Sequence, residues 1–585
     1  MRKISEGAAR RPFDLWLLVL FAALVIGAIL RFWGLTTPSL SHPEIYIPGI
    51  DLIPHISEPP PRHAFLETLE WHFQSETHPV GYFMAMWAWT SIAGTSEFAL
   101  RFPGVAIGIF TIWLVWRLGK EIFSSKVGAV AAFLLAIDGF HVYWSQTARM
   151  YAPCASLAVL ATLMLVIWMQ AGERRPGLET GYAAALIAGT QTVELFWAVP
   201  FLHLAWVSMV TPTESRPDWK ALLLPWKVPA FRIVQVQTIA MALAAADFVH
   251  IARKAGVGSA ALDPTPRFLT EYMGFGFLFQ TGAMRSTLAA PSLAAALAMA
   301  ALSLLFAVSS LRSPASRIAD AFPAPVAFRW VALATALGTA LAYYLVLISP
   351  RHKGLLAVVA LLPVLCLWLP GLSAIARSIV GHLPQAMKQA LDRFDTFHLL
   401  LLLIAFVPPL VFYVLSQKMS VLAPRAFLPF TPFLLLLVAA GMAALLQVRW
   451  IAIPVSLGVV ALFATSSVYF HNLPHSPRDY KLIARVIARE EQSGDVIFVR
   501  PRHWQDTPLF YYLPRAHYVV DDHARYLALH NPPRVWLPEW LTEKGALELD
   551  ERSDILAAAG YQEVRSWPAL EARAGLFARK PTQRK

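Results

Sequence analysis

Runs of about 20 apolar residues recur along this chain, and this feature restricts its possible folds more than any other. A run of that length spans a bilayer as an α-helix, the form in which every backbone polar group is satisfied internally. Apolar residues make up 57% of the sequence and charged residues only 15%, which excludes a disordered chain and an ordinary water-soluble enzyme. The sequence therefore predicts a polytopic α-helical membrane protein.

The distribution of Lys and Arg predicts how the chain threads the membrane. The first apolar run follows four basic residues and is longer than the core of a signal peptide, so we predict a retained helix with the N-terminus inside. Basic clusters recur in alternate connections and give about thirteen spans, an odd number that places the C-terminus outside. The predicted spans are 14–34, 100–117, 127–144, 152–170, 178–191, 194–211, 232–250, 289–311, 328–348, 354–375, 398–416, 425–446 and 450–470. If 178–191 and 194–211 are instead one tilted helix, everything downstream is inverted.

The domain organisation follows from these spans. We predict a membrane domain at 1–471, with exoplasmic loops at about 35–99 and 251–288 and an interfacial helix around 82–89. From about 472 the composition becomes that of a water-soluble exoplasmic domain. Its patterns predict helices at 480–490 and 545–559 and strands at 495–500, 517–520 and 575–579, a small α/β module without a glycine-rich phosphate loop.

Several cations lie near the predicted outer ends of helices, against the positive-inside trend. The net charge of +12 fits a membrane surface better than nucleic acid in a chain this apolar, so no nucleic-acid partner is expected. Arginine and lysine at the outer surface suit a phosphate or pyrophosphate headgroup, although each also fits a helix end or an anionic lipid. These residues are Arg101, Arg149, Arg351, Lys353, Lys418 and Arg425.

The first exoplasmic loop supplies the candidate acid or base. Glu44 follows the first span closely, and partial desolvation near the membrane would raise its pKa toward that of a useful general base. Five histidines share the loop, so His42 and Glu44 are a candidate pair of ligands for a divalent metal, although their spacing matches no metal motif. The two cysteines, Cys154 and Cys366, lie inside apolar runs and form neither a disulfide framework nor a CxxC metal site.

A series of motifs resembles a known family. The sequence resembles the GT-C membrane glycosyltransferases, and within them the protein O-mannosyltransferase and aminoarabinose-transferase group, glycosyltransferase family 39. The motifs, in order, are Pro43-Glu44, THPVGY at 77–82, GTSEFALRFPG at 94–104, WRLGKEIF at 116–123, FHVYWSQTARMYA at 140–152 and APRAFLP at 423–429. They cover roughly residues 35–155 and 423–445, and the rest of the chain matches only in hydropathy.

The resemblance implies a GT-C fold and transfer of a hexose or pentose from a polyprenyl-phosphate carrier, by inverting displacement, to a protein, lipid or glycan acceptor. It implies Glu44 as the catalytic acid or base and the lipid-phosphate or structural contacts His78, Arg101, Arg149, Tyr151 and Arg425. It also implies a multi-pass protein of the bacterial inner membrane, working on the periplasmic side of the cell envelope. The sugar, the acceptor and any dependence on metal stay open.

Two expected carboxylates are absent from the motifs. The first loop of the family typically reads Asp-Glu, and Pro43 stands at the Asp position; Thr147 stands where a second acid is common. Asp51, Asp138 or Glu194 are alternative acids if the fold brings them near. The alternative function is a catalytically silent GT-C-like protein that binds lipid-linked sugar or a partner enzyme. A transporter ranks below both, because the sequence has no inverted repeat.

Overall fold

A computed structural model describes the chain over 14–46, 64–75, 78–171, 175–210, 213–214, 229–254, 324–325, 396–416, 424–445, 449–472, 478–500, 506–540 and 551–579. Its first part is helical. The α-helices are α1 Leu15–Phe32, α2 His42–Tyr46, α3 Phe65–Ser75, α4 Val80–Ala93, α5 Glu97–Ile122, α6 Ser125–Ala136, α7 Gly139–Ser145, α8 Tyr151–Ala171, α9 Pro176–Thr190, α10 Ala198–Val210, α11 Pro229–Lys254, α12 Thr396–Ser416, α13 Thr431–Leu445 and α14 Arg449–His471. Two 3-10 helices, Glu194–Trp197 and Pro424–Phe430, lead into α10 and α13.

Within the described residues, five helices are long and apolar enough to cross a membrane, or six if the bent pair of α6 and α7 is one span. The protein is therefore a multi-pass membrane protein. Ten of the thirteen predicted spans fall on helices; those at 289–311, 328–348 and 354–375 lie outside the described residues. The predicted segments 178–191 and 194–211 are separate helices, because the chain turns at 191–193 between α9 and the 3-10 helix.

Small residues allow the central helices to pack closely. A side chain at Gly119 of α5 would place its Cβ 2.6 Å from the Cα of Gly128 on α6, too close for any substitution. Association in a membrane depends on such van der Waals contact, since lipid removes the hydrophobic driving force between helices. Around this crossing the buried core is continuous from α1 to α14.

The span predicted at 127–144 is broken rather than straight. Helices α6 and α7 meet at a bend of 63°, which leaves carbonyl groups at the end of α6 without helical partners. The buried guanidinium of Arg31 on α1 donates to Leu135 O at 3.2 Å and Ala136 O at 3.1 Å, and Asp138 caps the N-terminus of α7. Arg31, which no sequence motif indicated, thus stabilises the break.

The C-terminal part of the chain contains a five-stranded mixed sheet. Its strands are β3 Val496–Phe498, β4 Tyr518–Val519, β5 Arg534–Trp540, β6 Tyr561–Ala569 and β7 Ala572–Arg579. Their order in the sheet is β4-β3-β5-β7-β6. Strands β3, β4 and β5 are parallel, and β7 is antiparallel to both β5 and β6. The helices are α15 Tyr480–Glu490, α16 Thr507–Tyr512, α17 His523–His530 and α18 Glu551–Ala558. A separate pair of two-residue strands joins β1 Thr213–Glu214 to β2 Ala324–Pro325.

Candidate functional site

Glu44 and Arg101 form an ion pair that is fully buried. Arg101 Nε lies 2.9 Å from Glu44 Oε1, and Nη2 lies 3.2 Å from Oε2. Glu44 also accepts hydrogen bonds from the backbone N–H and hydroxyl of Ser41 and from the backbone N–H of Ala148. Three motifs of the family resemblance therefore meet at one carboxylate: the first loop, the start of α5 and the segment before α8.

The surroundings of Glu44 differ from the sequence-based expectation of a partly solvated general base. Both carboxylate oxygens are buried and occupied by five donors, which fills the roughly four acceptor positions that a carboxylate offers. The pair of ions offsets the cost of burying each charge. Through these contacts Glu44 links the first loop to α5.

The sequence predicts Arg101 as a lipid-phosphate or structural contact, and its surroundings favour the structural role. Its side chain has no exposed surface, and its three nitrogens supply five N–H donors. Two go to Glu44, and the other three go to the carbonyl oxygens of Leu35, Pro38 and Ser39 at 2.7 to 3.1 Å. All five donors are thus used inside the protein, so Arg101 shapes the first loop.

The C-terminal part of the chain also contacts the first loop. Lys481 Nζ lies 2.5 Å from Glu97 Oε2 and donates to Thr36 O at 2.6 Å. The Tyr512 hydroxyl donates to Glu97 Oε1 at 2.6 Å and accepts from Leu40 N at 2.7 Å. Ile45, Leu100 and Ala148 pack into the same apolar cluster as the inner faces of α15 and α16. These polar and apolar contacts together hold the first loop against the C-terminal part of the chain. We refer to Lys481, Glu97 and Tyr512 as the clamp.

Arg149 and Arg425 converge on Tyr151, the first residue of α8. Arg425 Nε, from the 3-10 helix before α13, donates to the Tyr151 hydroxyl at 2.8 Å. The guanidinium of Arg149 lies 6.0 Å from the centre of the Tyr151 ring, within range of a cation–π contact. Both arginines are partly exposed, unlike Arg101. The structure thus brings together three of the five predicted phosphate contacts, and two of them are accessible cations.

His78 lies beside Glu194, 116 positions further along the chain. The distance between His78 Nδ1 and Glu194 Oε2 is 3.1 Å, and the two side chains are 22% and 26% exposed. The pair is assembled by the N-terminus of α4, where Tyr82 N donates to Gln191 O at 3.0 Å. Gly81 permits this approach, because a Cβ there would collide with the Gln191 side chain. The alternative acid that the fold brings near the predicted site is therefore Glu194.

The other acids of the sequence analysis lie elsewhere. Asp138 is buried at the N-terminus of α7, where Oδ1 accepts from Phe140 N at 3.2 Å, so it is a helix cap and not an accessible acid. Asp51 lies outside the described residues, as do Arg351, Lys353 and Lys418. The Thr147 hydroxyl, two residues after the end of α7, donates to Tyr143 O at 2.9 Å.

No group of three His, Cys, Asp or Glu side chains suited to a metal occurs among the residues that the structure describes. The predicted ligands His42 and Glu44 both lie in α2, where Glu44 is already held by Arg101. Among the described residues, no third His, Cys, Asp or Glu completes a metal site with this pair.

Comparison with known proteins bears on the motifs directly. Residues 77–225 match the sequence profile of the dolichyl-phosphate-mannose-protein mannosyltransferase family. The chain resembles the GT-C glycosyltransferases of family 39. This match confirms the resemblance predicted from the sequence, and it covers His78, Arg101, Arg149, Tyr151 and Glu194. A comparison with curated proteins found no match.

Solved structures similar to the chain include an oligosaccharyltransferase and ArnT. One is the archaeal oligosaccharyltransferase AglB from Archaeoglobus fulgidus in complex with an inhibitory peptide and a dolichol-phosphate. It is 12% identical, with 91% of this chain and 74% of that chain covered and a TM-score of 0.45. Another is ArnT from Cupriavidus metallidurans bound to undecaprenyl phosphate. It is 14% identical, with 96% of this chain and 98% of that chain covered and a TM-score of 0.42.

Proposed function

We propose that this protein is a membrane glycosyltransferase that takes a sugar from a polyprenyl-phosphate carrier and transfers it by inverting displacement. The observation that carries the proposal is the arrangement of Arg149 and Arg425 around Tyr151, largely within the segment that matches the mannosyltransferase profile. The name of that family specifies a sugar linked to a dolichyl phosphate, which is a polyprenyl-type phosphate carrier.

Two arginines suit the leaving group of this reaction. When the bond between the sugar and the phosphate breaks, a second negative charge develops on the phosphate. A guanidinium stabilises that charge by charge-assisted, often bidentate hydrogen bonds. In the proposed mechanism Arg425 is held by Tyr151, Arg149 lies over the same ring, and both face the phosphate of the carrier.

The proposed setting is the outer face of the bacterial inner membrane, with the N-terminus inside and the C-terminal α/β domain outside. The clamp supports a role for that domain, because it fixes the loop that follows α1 against the start of α5. In this setting the lipid tail of the carrier stays in the bilayer while its phosphate reaches the helix ends that carry the arginines.

The state of the expected acids favours a second function. The carboxylate that the family resemblance designates, Glu44, is buried and occupied by Arg101, and Pro43 and Thr147 replace the other expected acids. A protein that holds lipid-linked sugar without transferring it would show the same features.

Turnover of a defined donor separates the two functions. The purified protein is reconstituted in phospholipid vesicles with a panel of polyprenyl-phosphate sugars and a cell-envelope extract as the source of acceptor. Release of free polyprenyl phosphate from one of the sugars, reduced at least tenfold in the Arg149→Ala, Arg425→Ala double variant, supports the transferase. Binding of a donor without its consumption supports the silent alternative.

A further inference from the structure

An inverting transfer needs a group that takes the proton of the acceptor. The positions at which the family resemblance predicts this group do not supply one. Pro43 has no side-chain oxygen, the Thr147 hydroxyl is bonded to Tyr143 O, and Glu44 is buried beside Arg101. If the proposed function holds, the proton acceptor comes from another part of the structure.

The pair of His78 and Glu194 has the geometry of a base and its orienting carboxylate. A hydrogen bond from imidazole Nδ1–H to a carboxylate fixes the ring and its tautomer, and leaves Nε2 as the basic nitrogen. The distance of 3.1 Å between Nδ1 and Oε2 permits this bond. Both side chains also reach the surface to a similar degree, unlike Glu44 and Asp138, which are fully buried.

Backbone contacts hold the two partners in place. His78 is followed by Pro79, the N-cap residue of α4, and the first turn of α4 is fixed by the bond between Tyr82 N and Gln191 O. Glu194 begins the 3-10 helix only three residues after Gln191. The two side chains are therefore positioned by one junction between α4 and the turn after α9, which limits their relative movement.

The pair also lies near Arg149, one of the two cations assigned to the carrier phosphate. The guanidinium of Arg149 is within electrostatic range of the Glu194 carboxylate, and Arg149 lies two residues before Tyr151 at the start of α8. A base on one side of the anomeric carbon and cations on the leaving side are the two requirements of a single displacement.

We propose that His78, oriented by Glu194, is the catalytic base of the transfer. This inference rests on the proposed function and revises the expectation that His78 contacts the phosphate. His78 Nε2 takes the proton of the acceptor hydroxyl while the acceptor oxygen forms a bond to C1 of the sugar. The bond between C1 and the phosphate oxygen breaks, its electron pair stays on the phosphate, and polyprenyl phosphate leaves. Glu194 stabilises the imidazolium, which then releases its proton to water.

Chemical rescue tests the role of His78. In the vesicle assay, with the donor sugar that the wild type consumes, His78→Ala is expected to lower kcat by about 100- to 10,000-fold, the usual contribution of general-base catalysis. Free imidazole at millimolar concentration is expected to restore part of the rate. Affinity for polyprenyl phosphate is expected to change less than threefold. His530→Ala, at an exposed histidine on α17, is the matched control and is expected to leave turnover unchanged.

Glu194→Gln tests the orienting role separately. Its amide still fits the space but carries no charge to stabilise an imidazolium, so kcat is expected to fall about 10- to 100-fold with KM nearly unchanged, and Glu194→Asp is expected to recover part of the loss. If His78→Ala does not fold, His78→Gln replaces it, and the same loss of kcat with intact binding is expected.

The outcomes distinguish the inference from the proposed function. If the wild type consumes no lipid-linked sugar, the proposed function fails and this inference fails with it. If the wild type turns over and either histidine variant keeps its kcat, only the inference is overturned. A variant that binds polyprenyl phosphate at least tenfold more weakly but keeps kcat at saturation would return His78 to a phosphate contact.

Discussion

The guanidinium of Arg101 holds the carboxylate of Glu44 through two contacts, of 2.9 and 3.2 Å, in a place with no access to solvent. The remaining Arg101 donors form hydrogen bonds with three carbonyl groups of the chain between α1 and α2. This pair explains how a loop next to the membrane acquires a fixed shape. Because of this pair, Glu44 is a buried structural acid, whereas Glu194 is an accessible one.

Replacing Glu44 by Gln is expected to affect folding before chemistry. Removing one partner of a buried ion pair leaves the other charge without compensation and typically costs about 3–5 kcal/mol. The yield of monodisperse protein and the midpoint of thermal unfolding in detergent should both fall. A variant with normal yield and unfolding temperature but no turnover would instead make Glu44 a catalytic group.

The double variant Glu44→Leu, Arg101→Leu supplies the matched control for that experiment. Because both buried charges are removed together, the unfolding temperature should recover part of the loss caused by Glu44→Gln. No recovery would mean that the hydrogen bonds of the two residues with Ser41, Ala148 and the three loop carbonyl groups, and not the ion pair, dominate the stability of the loop.

Arg425→Ala is expected to weaken the binding of polyprenyl phosphate by about 10- to 100-fold, since a hydrogen bond to a charged group contributes about 1.5–3 kcal/mol. Tyr151→Phe, which removes only the 2.8 Å bond to Arg425, should weaken it about fivefold. Binding can be followed by fluorescence competition in detergent. Arg489→Ala is the control, because that side chain is 84% exposed on α15; equal effects of Arg425→Ala and Arg489→Ala would refute a specific phosphate contact.

Loosening the clamp is expected to free the first loop. Tyr512→Phe removes the acceptor of the Leu40 N–H and one partner of Glu97, so hydrogen exchange at the Leu40 amide should accelerate at least tenfold. Lys481→Met should accelerate the same region by removing the bridge to Thr36 and Glu97. Unchanged exchange in both variants would show that apolar packing alone holds the loop.

The C-terminal sheet is expected to lose stability in acid. Burial by itself raises the pKa of Asp495, but hydrogen bonds from Arg534, Gln492 N and Trp536 outweigh it and hold the pKa below its ordinary value. A lowered folded-state pKa contributes stability above the unfolded value of about 4, and that stability disappears as the pH falls through the folded value. Urea unfolding followed by tryptophan fluorescence should show a smaller pH dependence below about pH 5 for Asp495→Asn. An identical slope for both proteins would exclude Asp495 as its source.

The membrane-spanning helices that the structure describes were largely predictable, because the hydropathy of a segment follows its free energy of transfer into lipid. Part of the C-terminal sheet was predictable as well. The helix predicted at 480–490 matches α15, and the strands predicted at 495–500, 517–520 and 575–579 overlap β3, β4 and β7. Strands β5 and β6 were not predicted. Pro538 interrupts the pattern of β5, and β6 is largely exposed with a register shift between Glu563 and Arg565, so neither has a clear alternation.

The site was predictable only in part, because it depends on contacts across long sequence separations. The motifs predict Arg149, Tyr151 and Arg425 as contacts of one phosphate, and the structure brings the three side chains together. Their role in binding phosphate stays a prediction. The partnership of Glu44 with Arg101, and that of His78 with Glu194, depends on which side chain turns inward. The spacing of residues along the sequence does not indicate which side chains turn inward. For Glu194, its position between two apolar segments was the available signal, because an acid there is costly without a function or a partner.

Identification of the lipid that copurifies with the protein is the sharpest test of the proposed function. Wild type and Glu194→Gln would be purified in mild detergent with extracted polyprenyl lipids, and the bound species would be determined by mass spectrometry. The account predicts a polyprenyl-phosphate sugar retained by Glu194→Gln and mainly free polyprenyl phosphate on the wild type after addition of envelope extract. The absence of any polyprenyl species from both proteins would contradict it.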